Sequence, residues 1–165
     1  MNIINEIYIL LGGNLGNPKQ QLKQAKELLT AKLGDLIKES SLYQSEAWGV
    51  EDQPIFLNQV LFIQTNKTAE ESLSICQDIE NELGRHRKEK WGARIIDIDI
   101  LYFNSEIINT QTLKIPHPYI PERRFTLQPL CEIANSYKHP KLNLTNEELL
   151  LICTDNLHVE KILEK

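Results

Sequence analysis

Asp97 and Asp99 stand two residues apart in a run from Ile95 to Tyr102 that is rich in Ile and holds no turn former. Such a run predicts a mostly buried β-strand. Strand side chains alternate faces, so both carboxylates lie side by side while Ile96, Ile98 and Ile100 can enter a core from the other face. Two crowded carboxylates repel each other and are costly to desolvate without a partner. A divalent cation removes that cost. Mg²⁺ suits the pair, because it is usually held by one or two carboxylates with substrate phosphates in its other positions.

Just upstream, Arg85, Arg87, Lys88, Lys90 and Arg94 crowd together with only Glu89 opposing them, and Trp91 adds a flat apolar face suited to a ring. Arg recognises phosphate as a bidentate fork and Lys as a point charge. Phosphate-binding cations beside a metal-binding acid pair suit phosphoryl transfer, where positioning and charge neutralisation carry most of the catalysis. Each part alone also suits a solvated strand face or a charge complement to a helix C-terminus. Their co-occurrence favours a metal–phosphate site.

The 165 residues predict one domain, spanning 1–165, with a core that needs no staples. A net charge of −5 argues against a nucleic-acid binder, so the basic cluster is a local exception that favours a small anionic ligand. Cys76, Cys131 and Cys153 are odd in number and form no C-x-x-C, which predicts reduced thiols. The N-terminal apolar run is too short for a signal peptide or a span, so a cytoplasmic protein without membrane contact is expected.

The elements that must position these groups follow from periodicity. Ile7 to Leu11 reads as a strand. Asn17-Pro18 caps a helix carrying Leu22, Ala25, Leu28, Leu29 and Leu33, with Gly34 as its stop. A strand around Lys38 to Gln44 follows, then a loop from Ala47 to Pro54 and a strand from Phe56 to Thr65. Asn58 shares a face with Phe56, Val60 and Phe62, which suits either a satisfied buried amide or a ligand reader. Thr68 and Glu71 form a capping box for a second helix ending at Gly84, with Glu80 near its last turn as an acceptor for a hydroxyl or amide. Beyond the Asp strand, Glu106 to Ile108 reads as a hairpin arm. Two prolines hold His117 in an extended loop, Arg123 to Phe125 open a helical turn, and Thr145 and Glu148 cap another helix. The tail from Asn156 reads as a surface helix.

The order through Tyr102 is β-α-β-β-α-β, an α+β fold of the ferredoxin-like kind with an antiparallel sheet and helices on one face. The remaining elements are expected to add strands and cover the other face, giving α/β/α layers. That fold also serves RNA-binding modules and non-catalytic small-molecule sensors. An RNA module needs stacked aromatics in an RNP-type strand, which Phe56 to Thr65 lacks. A sensor would not need the paired aspartates and five cations.

The run Lys90-Trp91-Gly92-Ala93-Arg94-Ile95-Ile96-Asp97-Ile98-Asp99-Ile100-Leu101 resembles the signature of the 6-hydroxymethyl-7,8-dihydropterin pyrophosphokinases, a folate-pathway family. Further blocks agree in order: Leu11 to Gly16, Ser41 to Gly49, Gln53 to Asn58, and Ile115 to Pro118 with Arg123, Phe125, Leu127, Pro129-Leu130 and Glu132 to Ala134. The resemblance implies transfer of pyrophosphate from ATP to the hydroxymethyl oxygen of a reduced pterin, releasing AMP. By position it implies that Asp97 and Asp99 hold a pair of Mg²⁺ ions and that Arg85 and Arg94 steady charge on the moving phosphates. Glu80, Arg87, Trp91, Ile100, Lys114, His117 and Arg123 would line the ATP site. The pterin would lie between Phe56 and Phe125, read by Asn58 and by the Ser45, Glu46 and Trp48 loop. ATP and pterin are the implied partners of a monomer. The loops Ala47 to Pro54 and His86 to Trp91 are expected to close on ATP. Departures are a missing proline in the Ser45 to Trp48 stretch, Thr112 where some members carry arginine, and Asn135 in place of a common proline.

Overall fold

Strand β1 (Asn5–Gly13) carries Ile7, Ile9 and Leu11 on one side and Tyr8, Leu10 and Gly12 on the other, and the rest of the sheet forms around it. The computed structural model describes residues 3–46, 55–84 and 95–163. Along the chain come α1 (Pro18–Lys32), β2 (Gly34–Glu39), β3 (Tyr43–Ser45), β4 (Phe56–Thr65), α2 (Ala69–Glu82) and β5 (Asp97–Phe103). After them come a small hairpin of β6 (Ile108–Asn109) and β7 (Lys114–Ile115), helices α3 (Arg124–Ala134) and α4 (Asn146–Ile152), and strand β8 (Val159–Lys161). The sheet runs β5-β1-β4-β3-β8, with β2 also on β4, and all its pairings are antiparallel. This is the ferredoxin-like arrangement.

The helices begin where local chemistry starts them. Asn17 accepts the Gln20 amide with Pro18 at the first helical position, and both capping boxes, Thr68/Glu71 and Thr145/Glu148, are formed reciprocally. Each such cap is worth about 1 kcal/mol. The two glycines expected to stop helices act differently. Gly84 adopts φ +89°, the left-handed stop. Gly34 instead opens β2, where a Cβ would lie 2.1 Å from the Gln64 carbonyl oxygen. It is there for close approach to β4.

Two expectations are corrected. The single strand around Lys38 to Gln44 is split into β2 and β3, both on the same edge of β4. Between them Ser40 keeps contact with the strand: its N–H donates to the Val60 carbonyl and its Oγ accepts the Val60 N–H, both at 2.9 Å. The tail is not a surface helix over its described length, because β8 pairs with β3 (Tyr43 opposite Lys161, Ser45 opposite Val159). A free β3 would expose a row of unpaired backbone groups, and β8 covers it.

Two cores result. Ile7, Ile9, Leu11, Leu61, Ile63, Ile96, Ile98 and Ile100 pack against Leu22, Ala25 and Leu29 of α1 and Cys76 and Ile79 of α2. Leu10, Val60, Leu101 and Tyr102 pack on the opposite face against Leu127, Leu130 and Ala134 of α3 and Leu149 of α4. The layering is α/β/α. A register shift lets β5 serve both: Ile9 faces Ile100 while Tyr8 faces Tyr102. The extra residue, Leu101, turns into the second core, where Tyr102 donates its hydroxyl to Asn146 Oδ1 at 2.8 Å. Among the described residues no helix is long and apolar enough to cross a membrane.

Candidate active site

The α3-side face of the sheet is apolar only along part of its length. Past Leu10 and Val60, the next row across the strands reads Tyr43, Asn58, Gly12, Asp97, each directly opposite the next. Asp99 lies one step back, opposite Leu10. Both aspartates are half-buried, whereas Ile98 between them is buried in the first core. The alternation expected from the sequence therefore holds, and it aims both carboxylates at the polar end of this face.

Gly12 is the residue the sequence reading passed over. A Cβ there would stand 3.0 Å from Asn58 Oδ1. Its missing side chain leaves a gap between Asn58 and Asp97. The signal was the Gly12-Gly13 pair at a strand end, legible as a close approach of backbone to something else. Asn58 itself is buried, and its Nδ2 donates to Ser45 Oγ at 3.0 Å. It is thus both a satisfied amide and a site-facing one.

Arg123 enters from the turn that precedes α3. Its guanidinium lies 4.5 Å from the Tyr119 ring centroid and 5.5 Å from that of Phe125, so two aromatic faces hold it. Burial lowers its pKa, opposed by Asp99, Tyr119 and Asp97 among others, so the cation lies in electrostatic reach of both aspartates. His117 sits beside it. Its backbone N–H donates to the Leu101 carbonyl at 2.9 Å, tying the loop to β5, and its Nδ1 accepts the Tyr119 N–H at 3.2 Å. Burial, and then Arg123, push its pKa down to about 4. The imidazole is therefore neutral near pH 7, and with Nδ1 accepting, Nε2 carries the proton.

The other expected residues divide. Ser45, Phe56, Asn58, Asp97 and Asp99 share the face, and Arg123 and Phe125 approach it from the start of α3. Glu46 follows β3 as an exposed residue. Three have other partners than the nucleotide expected for them. Glu80 is buried and its Oε2 accepts the Ile98 N–H at 2.8 Å, so it braces the edge strand that carries the aspartates. The Ile100 side chain is in the first core, which leaves only its main chain on the strand edge. Lys114 is exposed in the β6/β7 hairpin, where its Nζ donates to Asn109 Oδ1 at 2.9 Å and to the Thr110 carbonyl. Trp48, Arg85, Arg87, Trp91 and Arg94, and the two loops expected to close, lie outside the described residues.

The donor set fits Mg²⁺ in kind. Two carboxylates on one face leave most of an octahedron open to phosphate oxygens and water. Among the described residues no group of three or more His, Cys, Asp or Glu gathers as a metal cage.

Residues 8–135 match the model of the 7,8-dihydro-6-hydroxymethylpterin-pyrophosphokinase family. The chain belongs to this family. A Bacillus subtilis relative named 2-amino-4-hydroxy-6-hydroxymethyldihydropteridine pyrophosphokinase is 46% identical over 131 residues, 79% of this chain and 78% of the relative. One of the same name from Aquifex aeolicus is 42% identical over 134 residues, 81% and 83% of the two chains. A crystal structure of Plasmodium falciparum HPPK-DHPS superposes with a TM-score of 0.75 at 20% identity, covering 92% of this chain but 43% of that longer one. That likeness supports the fold. Within the pyrophosphokinase family match lie every strand that contributes to the polar row and the segment that brings in His117, Arg123 and Phe125.

Proposed function

We propose that the polar end of the α3-side face binds ATP and a reduced pterin and moves pyrophosphate from ATP to the pterin hydroxymethyl oxygen, releasing AMP, as a step of folate biosynthesis. Membership of the pyrophosphokinase family over residues 8–135 carries this reading. The chain is an ATP-dependent diphosphotransferase of that family, and the roles of its residues are our reading of the site. Mg²⁺ held by Asp97 and Asp99 would neutralise phosphate charge and align the β-phosphorus for in-line attack.

The chain's own groups do the positioning. Glu80, through the Ile98 amide, holds β5 so that both carboxylates keep one direction. Arg123, clamped by Tyr119 and Phe125, supplies a fixed positive charge for the nucleotide. His117, neutral with its proton on Nε2, offers a donor without adding charge. Arg85, Arg87, Arg94, Trp91, Lys114 and the Ile100 main chain complete the ATP side in this reading, Arg85 and Arg94 on the transferring phosphates. Phe56 and Phe125 sandwich the pterin, and Asn58 with the Ser45, Glu46 and Trp48 segment reads its polar edge, because a flat ring wants aromatic faces and its amide-like edge a complementary one. We further propose that residues 1–165 act as one domain, as a monomer, in the cytoplasm, with a pair of Mg²⁺ ions.

The test is AMP formation from ATP and Mg²⁺ with and without 6-hydroxymethyl-7,8-dihydropterin. Pterin-dependent AMP is expected. ADP in its place would move the attack to the γ-phosphorus, and no turnover would return the chain to a non-catalytic binding module.

A further inference from the structure

We propose that Asp155 is a positioning residue: it caps the start of α3 from a distant segment and, through Arg124, fixes the turn that presents Arg123 to the nucleotide and Phe125 to the pterin. This rests on the function proposed above and adds to it a part for the chain beyond residue 135, where the family match ends.

Helix α3 starts without a cap of its own. Arg123 stands at its N-cap position and makes no side-chain capping bond, and the first turn carries no acidic residue. The opening amides of a helix have no partner inside it, so an acceptor from outside stabilises them. Here the Arg124 N–H donates to Asp155 Oδ2 at 3.0 Å, across 31 positions of chain. A carboxylate at that end also complements the helix dipole. The other oxygen, Oδ1, accepts the Leu157 N–H at 3.0 Å, which holds the carboxylate within a turn of its own segment.

The Arg124 side chain completes the tie. Its Nε donates to the Asp155 carbonyl at 3.0 Å and its Nη2 to the Cys153 carbonyl at 3.1 Å. A planar guanidinium fork holds two such oxygens at a fixed spacing. The neighbouring arginines therefore act differently: Arg123 rests on Tyr119 and Phe125, whereas Arg124 turns its donors to the later segment. Arg124 and Asp155 are both half-buried, so these bonds are partly shielded from water. The segment is anchored at its other end as well. β8 sets Val159 opposite Ser45 of β3, and Lys161 reaches Glu132 of α3 at 3.8 Å. Residues 153–161 thus run from the turn that carries Arg123 and Phe125 to the strand that carries Ser45. A shift of the backbone at position 124 moves the residues on both sides of it, so loss of the tie should weaken nucleotide and pterin together.

The experiment is calorimetric binding to the full chain, at a temperature where circular dichroism shows every variant folded. A non-hydrolysable ATP analogue with Mg²⁺ is titrated first, and 6-hydroxymethyl-7,8-dihydropterin is then added to that complex. Asp155→Ala is expected to weaken both ligands about fivefold in Kd. Asp155→Asn, which keeps a capping oxygen, should recover most of the loss. Thr68→Ala removes a cap of the same kind from α2 and should lower Tm to a similar extent with both affinities unchanged. Should Asp155→Ala not fold, Arg124→Ala decides: it keeps the backbone N–H on Asp155, drops both carbonyl bonds, and should weaken both ligands by at least about twofold. Wild-type affinities in folded Asp155→Ala, or in Arg124→Ala where that variant decides, overturn the positioning role alone, as does an equal loss in Thr68→Ala. A wild type that binds neither ligand overturns the proposed function and this inference with it.

Discussion

A groove of about 730 Å³ beside α1 and the polar end of the α3-side face both collect charged groups, but they pair them differently. In the groove, Lys26 meets Glu39 at 2.9 Å and Lys161 meets Glu132 at 3.8 Å. Glu132 also accepts from the Tyr43 hydroxyl at 2.7 Å and from the Ser41 amide and hydroxyl. Burial raises its pKa but these bonds outweigh it, leaving a carboxylate already served by the chain. At the other site two carboxylates of one sign are set side by side by strand alternation, and a buried cation is clamped within reach of both. A groove whose charges answer one another gives a ligand little to do. A face that sets two like charges side by side next to a buried cation suits a ligand that brings both phosphate and a divalent ion.

That contrast breaks first at Asp97. Asp97→Ala should cut AMP formation by more than about 100-fold, the loss ordinarily caused by mutating groups one shell further from a metal. Circular dichroism should report an intact fold, and near-normal turnover would remove the metal assignment.

His117 sharpens the comparison by pH. Its folded pKa is about 4 against the ordinary histidine value of 6.5, so as pH falls the unfolded chain takes up its proton first. The resulting stability is present above pH 6.5 and is lost as pH drops toward 4, by at most about 3 kcal/mol. Urea unfolding of His117→Asn across that window should show a flatter slope than the wild type.

Glu80 tests whether the site depends on support from the α2 side. Glu80→Ala strands the Ile98 amide and should cost about 1–3 kcal/mol by chemical denaturation, with turnover reduced as β5 loosens. Glu80→Gln keeps an acceptor and should recover most of both. Lys26→Ala, in the groove, is the smallest change. It should alter stability by less than about 1 kcal/mol and leave AMP formation unaltered, since it removes one partly exposed ion pair. A large loss of activity there would erase the distinction between the two regions.

Much of this was legible residue by residue. Asn17-Pro18 and both Thr/Glu capping boxes mark helix starts because a cap is chemistry within one turn. Asp97 and Asp99 could be placed on one face because strand alternation needs no tertiary information. Less legible were the partners that arrive from afar. Glu80 read as an acceptor for a hydroxyl or amide, but which donor would reach it depended on β5, which brings the Ile98 amide to it. Gly34 read as a helix stop, yet it is required by the approach of Gln64 from thirty positions along the chain. The short β8 looked like the start of a helix because a three-residue strand has too few residues to display a period.

The sequence by itself determined the main helices and the central strands, the side-by-side carboxylates and the chemistry they invite, since each depends on neighbours within a turn or a strand. Tertiary structure decided which faces meet. It set Gly12 between Asn58 and Asp97, swung Arg123 onto Tyr119 and Phe125, pushed the His117 proton off near pH 7, and turned the tail into a strand. The physical reason is that burial, strand register and desolvation depend on contacts between residues far apart in the chain, and no local pattern encodes what will be brought opposite.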